Sequence, residues 1–330
     1  MRSKGNASII VILISGLILA LLFLFSVWRP WYEIKKDEIN VGYLPIYVDL
    51  PLFVAVEEGF FENRNISVKL IRFQSSPDMA SALVSKEVDA VASIATSSAL
   101  AVESRDPGKF KIFVVDAETP ENPLSSLVVS SKSNINNPSE LKGKLVASFP
   151  GPTASLFAPL AFEKYGLQKE DYNIQELQIG SHITALETGK VDALVTYEPT
   201  ATQAVLKYGA RKLVSGFIET NVINPWQAGI WIIGSDFLKN NKDMSELFVL
   251  AIYDAIDFIR NNPDRAKESL SRYTTIDVDI ANETPNIPFT KVWEADLVTL
   301  QKHSDLLTKE GILKKEIDVP SLMMSELPKQ

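Results

Sequence analysis

From residue 38 onward, short apolar runs of strand length alternate with longer stretches in which apolar residues recur at helical intervals. The first such unit is INVGYLPIYVDLPLFVAVEEGFFENRNISVKL, residues 39–70. Ile39 to Tyr43 reads as a strand, which breaks at Pro45 in a loop carrying Tyr47 and Asp49. Pro51 suits a first helical turn, where its missing N–H costs nothing, and Leu52, Phe53, Val56, Phe60 and Phe61 follow at helical spacing. Gly59 and Asn63 end that helix, and Ile66 to Phe73 predicts a second strand. Two parallel strands joined by a helix place the Leu44 to Pro51 loop at the carboxyl edge of a sheet, where open α/β sheets bind ligands.

The chain then echoes itself. Residues 82–102, ALVSKEVDAVASIATSSALAV, and 185–205, ALETGKVDALVTYEPTATQAV, match without a gap at Ala82/Ala185, Leu83/Leu186, Val88/Val191, Asp89/Asp192, Ala90/Ala193, Ala101/Ala204 and Val102/Val205. Each copy reads as a helix end, a turn with its Asp, a buried strand and a polar turn into another helix, so a repeated structural unit is expected. Lys144 to Phe149 and Asn173 to Gln178 supply the other strands of the second copy, with Pro150 to Ser155 the loop between strand and helix. Two more β-prone runs, Ser126 to Ser131 and Gln227 to Gly234, suit a chain that leaves one lobe, builds another and returns. The expected fold is α/β with two lobes, each a mostly parallel sheet flanked by helices: residues 38–126 plus 232–330, and residues 127–231. The tail predicts helices over 247–262, 263–273 and about 290–310, packed back on the first lobe.

Residues 9–28, IIVILISGLILALLFLFSVW, form one apolar run long enough to span a bilayer. Arg2 and Lys4 precede it, Trp28, Trp31 and Tyr32 follow it, and no good cleavage site ends it. Residues 1–32 are therefore read as an uncleaved membrane anchor, the alternative being a cleaved signal; either places Glu33 onward outside the cytoplasm. The formal net charge of −8 and scattered Lys and Arg leave no basic stripe for nucleic acid. Absence of cysteine removes disulfides, thiol chemistry and lipid attachment through an N-terminal Cys.

LPLFVAVEEGFFENRNISVKL, ALVSKEVDA, LKGKLVAS, ALETGKVDALVTYEP and FIRNNPDRAKESL, in that order, resemble the periplasmic-type substrate-binding proteins of ABC importers. The most similar branch is the nitrate, sulfonate and taurine binders with the NMT1/THI5-like pyrimidine proteins, and the resemblance spans about residues 38–315. It implies a type II periplasmic-binding-protein-like fold whose lobes close over one small solute and dock on a permease served by an ATPase. It further implies a monomer with no cofactor, and contacts from loops at the facing edges of both lobes. In this chain those loops are Leu44 to Asp49, Ser93 to Ser98, Gly151 to Ser155, Tyr197-Glu198 and Asn224 to Trp226.

The candidate ligand-binding residues are Tyr47, Asp49, Ser93, Thr96, Ser97, Gly151, Thr153, Ser155, Tyr197, Glu198 and Trp226. Thr96, Ser97 and Thr153 suit capping as well as solute contact. Tyr47, Tyr197 and Trp226 suit stacking on a flat solute or plain packing, and Glu198 suits a helix start in either role. None of these loops holds Lys or Arg, whereas Asp49 and Glu198 add carboxylates. That balance argues for an aminopyrimidine-like or zwitterionic solute over sulfonate or nitrate, unless a cation such as Arg72 reaches the cleft. Two histidines and no cysteine exclude a His/Cys metal site or a Cys–His pair. His182 is expected at the surface or in a cap and His303 in solvent. An enzyme of similar fold, such as a pyrimidine-synthesising relative, and a sensor ectodomain are the alternatives to a solute carrier.

Overall fold

Strand β1 (Glu38–Tyr43) buries Ile39 and Val41, and helix α1 (Leu50–Glu57) follows with Pro51 in its first turn. Strand β2 (Ser67–Arg72) lies parallel to β1, in register from Glu38 opposite Ser67 to Tyr43 opposite Arg72. The computed structural model describes residues 38–274 and 276–325, apart from the side chains of 152–154. The anchor read over residues 9–28 lies outside the described residues. Among the described residues no helix is long and apolar enough to cross a membrane.

The chain continues through α2 (Ser76–Val84), β3 (Ala90–Ala95), α3 (Thr96–Arg105), β4 (Phe110–Asp116), β5 (Ser125–Val129), β6 (Leu145–Ser148), α4 (Pro152–Glu163) and β7 (Asn173–Glu176). Then come α5 (His182–Glu187), β8 (Ala193–Tyr197), α6 (Thr200–Tyr208), β9 (Arg211–Ser215), α7 (Phe217–Asn221), β10 (Gly229–Gly234), α8 (Ser235–Asn240) and α9 (Lys242–Asn261). Short helices α10 (Pro263–Lys267), α11 (Leu270–Tyr273) and α12 (Val278–Glu283), strand β11 (Phe289–Lys291) and helix α13 (Leu297–Lys309) complete it.

Two sheets result, ordered β11-β4-β10-β3-β1-β2 and β9-β5-β8-β6-β7. Each places three parallel strands, β2-β1-β3 or β7-β6-β8, beside one antiparallel strand, β10 or β5. Strand β5 precedes the second parallel trio and β10 follows it, so the chain crosses between sheets twice.

The internal echo is a set of matching bonds. Asp89 N–H donates to Asn40 O at 2.8 Å while its carboxylate accepts from Asn40 N at 2.9 Å; Asp192 does the same with Leu145, at 2.8 and 2.9 Å. Each Asp thereby locks the start of a strand to its parallel neighbour and satisfies an edge N–H that water would otherwise serve. The preceding helices end alike: Glu87 and Lys190 donate to Ala82 O and Ala185 O at 2.9 Å. The left-handed residue in that turn is Lys86 in one copy and Gly189 in the other.

The main core packs aromatic rings of the turn after α1, of β4 and of α9, with Phe61 stacked on Phe248 at 5.6 Å and Phe113 edge-on to Phe248 at 5.9 Å. Each such ring stabilises the fold by about 2 kcal/mol through burial. A smaller, alanine-rich cluster, including Ala185, Leu186, Leu194, Ala201 and Ala204, packs α5 and α6 on the second sheet.

Three expectations for the tail change. The late helix begins at Leu297, because Phe289–Lys291 pairs with Asp116–Val114 as an edge strand. Asp296 caps that helix, accepting from Thr299 N at 3.0 Å. Residues 263–273 form two short helices, and the helix expected from 247 starts at Lys242.

Candidate functional site

The carboxyl ends of β1 and β3 and the start of β10 meet the carboxyl end of β8 and the lead into β5. Gly229 sits opposite Ala95 in one sheet and Ser125 opposite Tyr197 in the other. Tyr47 N donates to Glu198 O at 3.3 Å, joining the two edges. Between them is a cavity of about 30 Å³, lined by Leu44, Ile46, Val48, Ser76, Ser93, Ala95, Leu124, Phe149, Tyr197, Trp226, Ala228 and Gly229. None of these twelve is charged, and that volume is about one water's share of liquid. A larger solute therefore has to part the edges to enter.

Three candidates line this cavity: Ser93, Tyr197 and Trp226. Tyr197 tilts against Trp226 at 5.9 Å and meets Phe149 edge-on at 5.8 Å. The Tyr197 hydroxyl and the Trp226 indole N–H are buried without a hydrogen-bond partner among the described residues. Burial pushes the Tyr197 phenol up, with the Glu219 and Glu118 carboxyls adding to it, so it stays a neutral donor.

The other candidates are built into the frame around the cavity. Tyr47 stacks flat on Phe289 at 6.4 Å. Asp49 closes its own loop, accepting from Leu44 N at 2.6 Å. Thr96 donates its hydroxyl to Gln227 O at 2.8 Å and its N–H to Ala228 O at 2.9 Å, so it ties α3 to the lead into β10. Ser97 is buried in the first turn of α3. Gly151, at φ 115°, faces Pro77 and Ser98 of the first sheet's helices, and a Cβ there would reach both within 3.7 Å. Ser155 is exposed and donates to Gly151 O at 3.3 Å. The Thr153 side chain lies outside the described residues.

Glu198 overturns the charge argument made from the loops. It is fully buried, pairs with Lys212 at 2.7 Å and accepts from Thr202 N at 3.0 Å. The cation is Lys212 on β9, far from any candidate loop in sequence; Arg72 ends edge strand β2, is exposed and does not line the cavity. Asp49 carries little charge either, because burial pushes its carboxyl well above the usual carboxylate range.

Behind the lining stands a layer of carboxyls, of which sequence reasoning singled out Asp49 and missed Asp116, Glu118 and Glu219. Leu44 N, Ser93 Oγ, Leu124 N and Ala228 N each donate to a buried acid: Asp49 at 2.6 Å, Asp116 at 2.5 Å, Glu219 at 2.8 Å and Glu118 at 3.2 Å. Burial is the leading cause that raises all four, and repulsion between Asp116 and both Asp49 and Glu118 adds to it. Asp49 Oδ1, Asp116 Oδ1 and Glu118 Oε1 have no hydrogen-bond partner among the described residues. One signal was available: Asp116 directly ends the apolar run FKIFVV, at the edge where β1 and β3 also end.

Both histidines are inside. His182 is held by Thr196 Oγ1 at 2.9 Å and Leu177 O at 3.0 Å, and burial lowers it to about 4. His303 meets Phe157 edge-on at 4.8 Å, with burial lowering it to about 3. A helix start suggests a surface or capping place for His182, and a charged helix suggests solvent for His303; each instead lies on the buried face of its helix. Among the described residues no cluster of His, Asp or Glu could hold a metal ion.

A family model described as NMT1/THI5 like matches residues 48–266. A Bacillus subtilis (strain 168) protein provisionally named as aliphatic sulfonates-binding is 26% identical over 280 residues, covering 83% of this chain and 82% of that protein. The alkanesulfonate-binding protein SsuA from Xanthomonas axonopodis pv. citri shares the fold, with a TM-score of 0.72, 18% identity, and coverage of 87% of this chain and 98% of that one. The desulfurization enzyme DSZB also shares it, at a TM-score of 0.66 and 16% identity over 88% of this chain and 97% of that one.

Proposed function

This chain belongs to the NMT1/THI5-like family, and from that premise we propose that it is the extracytoplasmic solute-binding component of an ABC importer. It takes one small polar solute between residues 38–126 plus 232–330 and residues 127–231, and hands it to a membrane permease. The apolar run 9–28 tethers it to the outer face of the membrane. The observation that carries this reading is the uncharged cavity to which both sheets contribute, Ser93, Ala228 and Gly229 from one and Phe149 and Tyr197 from the other.

Binding is favoured over turnover by what faces the solute. Neither histidine lines the cavity and the sequence has no cysteine, so among the described residues neither a histidine base nor a thiol nucleophile faces the solute; the Ser93 hydroxyl there already donates to Asp116. The tilted Tyr197 and Trp226 rings and their unpartnered donors suit a flat, polar molecule of aminopyrimidine type, or a zwitterion. An alkanesulfonate is the second reading, favoured by the provisional name of the Bacillus subtilis relative. Mass spectrometry of small molecules released from the purified chain tests both: one solute, recovered chemically unchanged after incubation, is expected. Conversion of that solute would place the chain with the enzymes of this fold.

A further inference from the structure

Ser93 and Gly229 face the cavity from neighbouring antiparallel strands. The space that a side chain at 229 would fill is taken by Ser93 Oγ, 2.0 Å from the position of a Cβ, and Asp116 Oδ2, 2.3 Å from it. Those two oxygens are 2.5 Å apart. The proton they share therefore sits against the cavity wall.

A hydroxyl has one proton to donate and two lone pairs. When Asp116 is a carboxylate, Ser93 donates to it and turns only lone pairs toward a solute. When Asp116 carries a proton on Oδ2, the acid donates to Ser93 Oγ, and the hydroxyl proton is released to point into the cavity. We infer that Asp116, acting through Ser93, sets the polarity of solute the cleft accepts: protonated, it readies the site for an acceptor such as a sulfonate oxygen; ionised, for a donor such as an ammonium group. The inference rests on the solute-binding reading and adds to it a positioning residue that selects between charges.

The surroundings keep that proton exchangeable. Asp116 is fully buried, and among the described residues its Oδ1 has no hydrogen-bond partner and the charged groups that act on it, on Asp49 and on Glu118 are acids: Asp49 from the start of α1, Glu118 after β4, and Glu219 of α7 beyond Glu118. Tyr197 of β8 faces Glu118 and Glu219, and Tyr43 at the end of β1 faces Asp49. Lys212 is engaged by Glu198 and Thr202. Carboxyls crowded without a cation do not all ionise. Burial pushes Asp116 up to about 8, against the Ser93 hydroxyl and the Trp231 indole, which does not close a hydrogen bond to it. Charge balances in each case: an anion enters with one proton taken from the buffer, and a cation enters as one proton leaves to it.

Ethanesulfonate and ethylammonium make the test, since they share a carbon skeleton, differ in sign and do not titrate between about pH 6 and about pH 9. Calorimetric titration of the full chain should show ethanesulfonate weakening by up to about tenfold per pH unit as Asp116 ionises, and ethylammonium following the opposite slope. Asp116→Asn keeps the shape and cannot titrate, so both slopes should vanish; Ser93→Ala, which keeps the carboxyl and removes the relay, should flatten them too. A slope that survives both substitutions, or a flat wild-type profile for a probe that binds, overturns the inference and leaves the solute-binding reading standing. Failure of both probes to bind overturns the inference, while the mass-spectrometric experiment decides the reading independently.

Discussion

The ends of β3 and β8 are the same piece of backbone used for opposite electrostatics. Both strands start from an Asp that bonds twice to the parallel neighbour, and both run into the cleft. At their tips Ser93 corresponds to Thr196, and Ala95 to Glu198. Ser93 leans on Asp116, an acid with no cation; Thr196 leans on His182, a neutral ring; and Glu198, one residue past β8, is neutralised by Lys212. Repetition preserved the scaffold, where every backbone group needs a partner, and left side chains at the tips to diverge.

Removing the one cation is the largest way to break that contrast. Lys212→Met leaves the buried Glu198 carboxylate unpaired and should cost about 3 kcal/mol in chemical denaturation, whereas Asp116→Asn, which removes no charge pair, should cost under about 1 kcal/mol near pH 5 and nothing at higher pH, where the proton Asp116 retains already weakens the wild type. Adding Glu198→Gln to Lys212→Met should restore most of the loss. Equal costs for Lys212→Met and Asp116→Asn would mean the two edges are electrostatically alike.

Next in size is Gly229→Ala. Its Cβ would fall 2.0 Å from Ser93 Oγ and 2.3 Å from Asp116 Oδ2, and both oxygens are locked in a buried hydrogen bond, so the wall has to shift. About 2 kcal/mol of stability should be lost. Weakened binding of whatever solute the wild type carries should accompany it, measured by the same titration.

The scaffold was legible because its signals are local: apolar periodicity gave strand and helix lengths, and the Asp89 and Asp192 turns sit in matching strings of sequence. The tips were less so. Tyr197 and Trp226 were found as aromatic residues near strand ends, but Asp116, Glu118 and Glu219 pair with Ser93, Ala228 and Ser125 over 23 to 110 residues of chain. Nothing in a carboxylate's own neighbourhood tells whether a partner waits on a strand that far away. Lys212 was hidden for the same reason, and the loops were judged acidic because their counter-ion belongs to β9. His182, at a helix start, and His303, in a charged helix, were misplaced because burial is a property of the helix face and not of position in the helix or of flanking charges.

The uncompensated acids should also show in the pH dependence. Asp49, Asp116, Glu118 and Glu219 all have folded-state pKa values raised above the unfolded ones, so the folded chain holds protons the unfolded chain has lost. The stability these four groups contribute is then greatest below the unfolded carboxylate range and falls as pH climbs toward the Asp116 value of about 8, while the buried His182 and His303, lowered to about 4 and about 3, act in the opposite sense below the ordinary histidine range. The slope is about 1.4 kcal/mol per pH unit for each proton retained. Denaturation between about pH 7 and about pH 8, above the range where unfolded histidine titrates, should give a negative slope that shrinks by about one proton in Asp116→Asn. A slope that Asp116→Asn leaves intact would assign the protons to other groups.

The smallest effect sharpens the comparison at the turn before each strand. Lys86 and Gly189 occupy equivalent left-handed positions, at φ 63° and 68°. A side chain there brings Cβ against the following carbonyl, at a cost of roughly 1 kcal/mol that glycine avoids. Nothing lies within 4 Å of a Cβ built on Gly189, so steric crowding does not confuse the measurement. Gly189→Ala should therefore destabilise by about 1 kcal/mol. Lys86→Gly should stabilise by a smaller amount, because glycine also loses more backbone freedom on folding and the exposed Lys86–Asp236 ion pair at 2.6 Å is given up. If the two substitutions shift stability in the same direction, the turns are not equivalent, and the echo between residues 82–102 and 185–205 stops at their sequences.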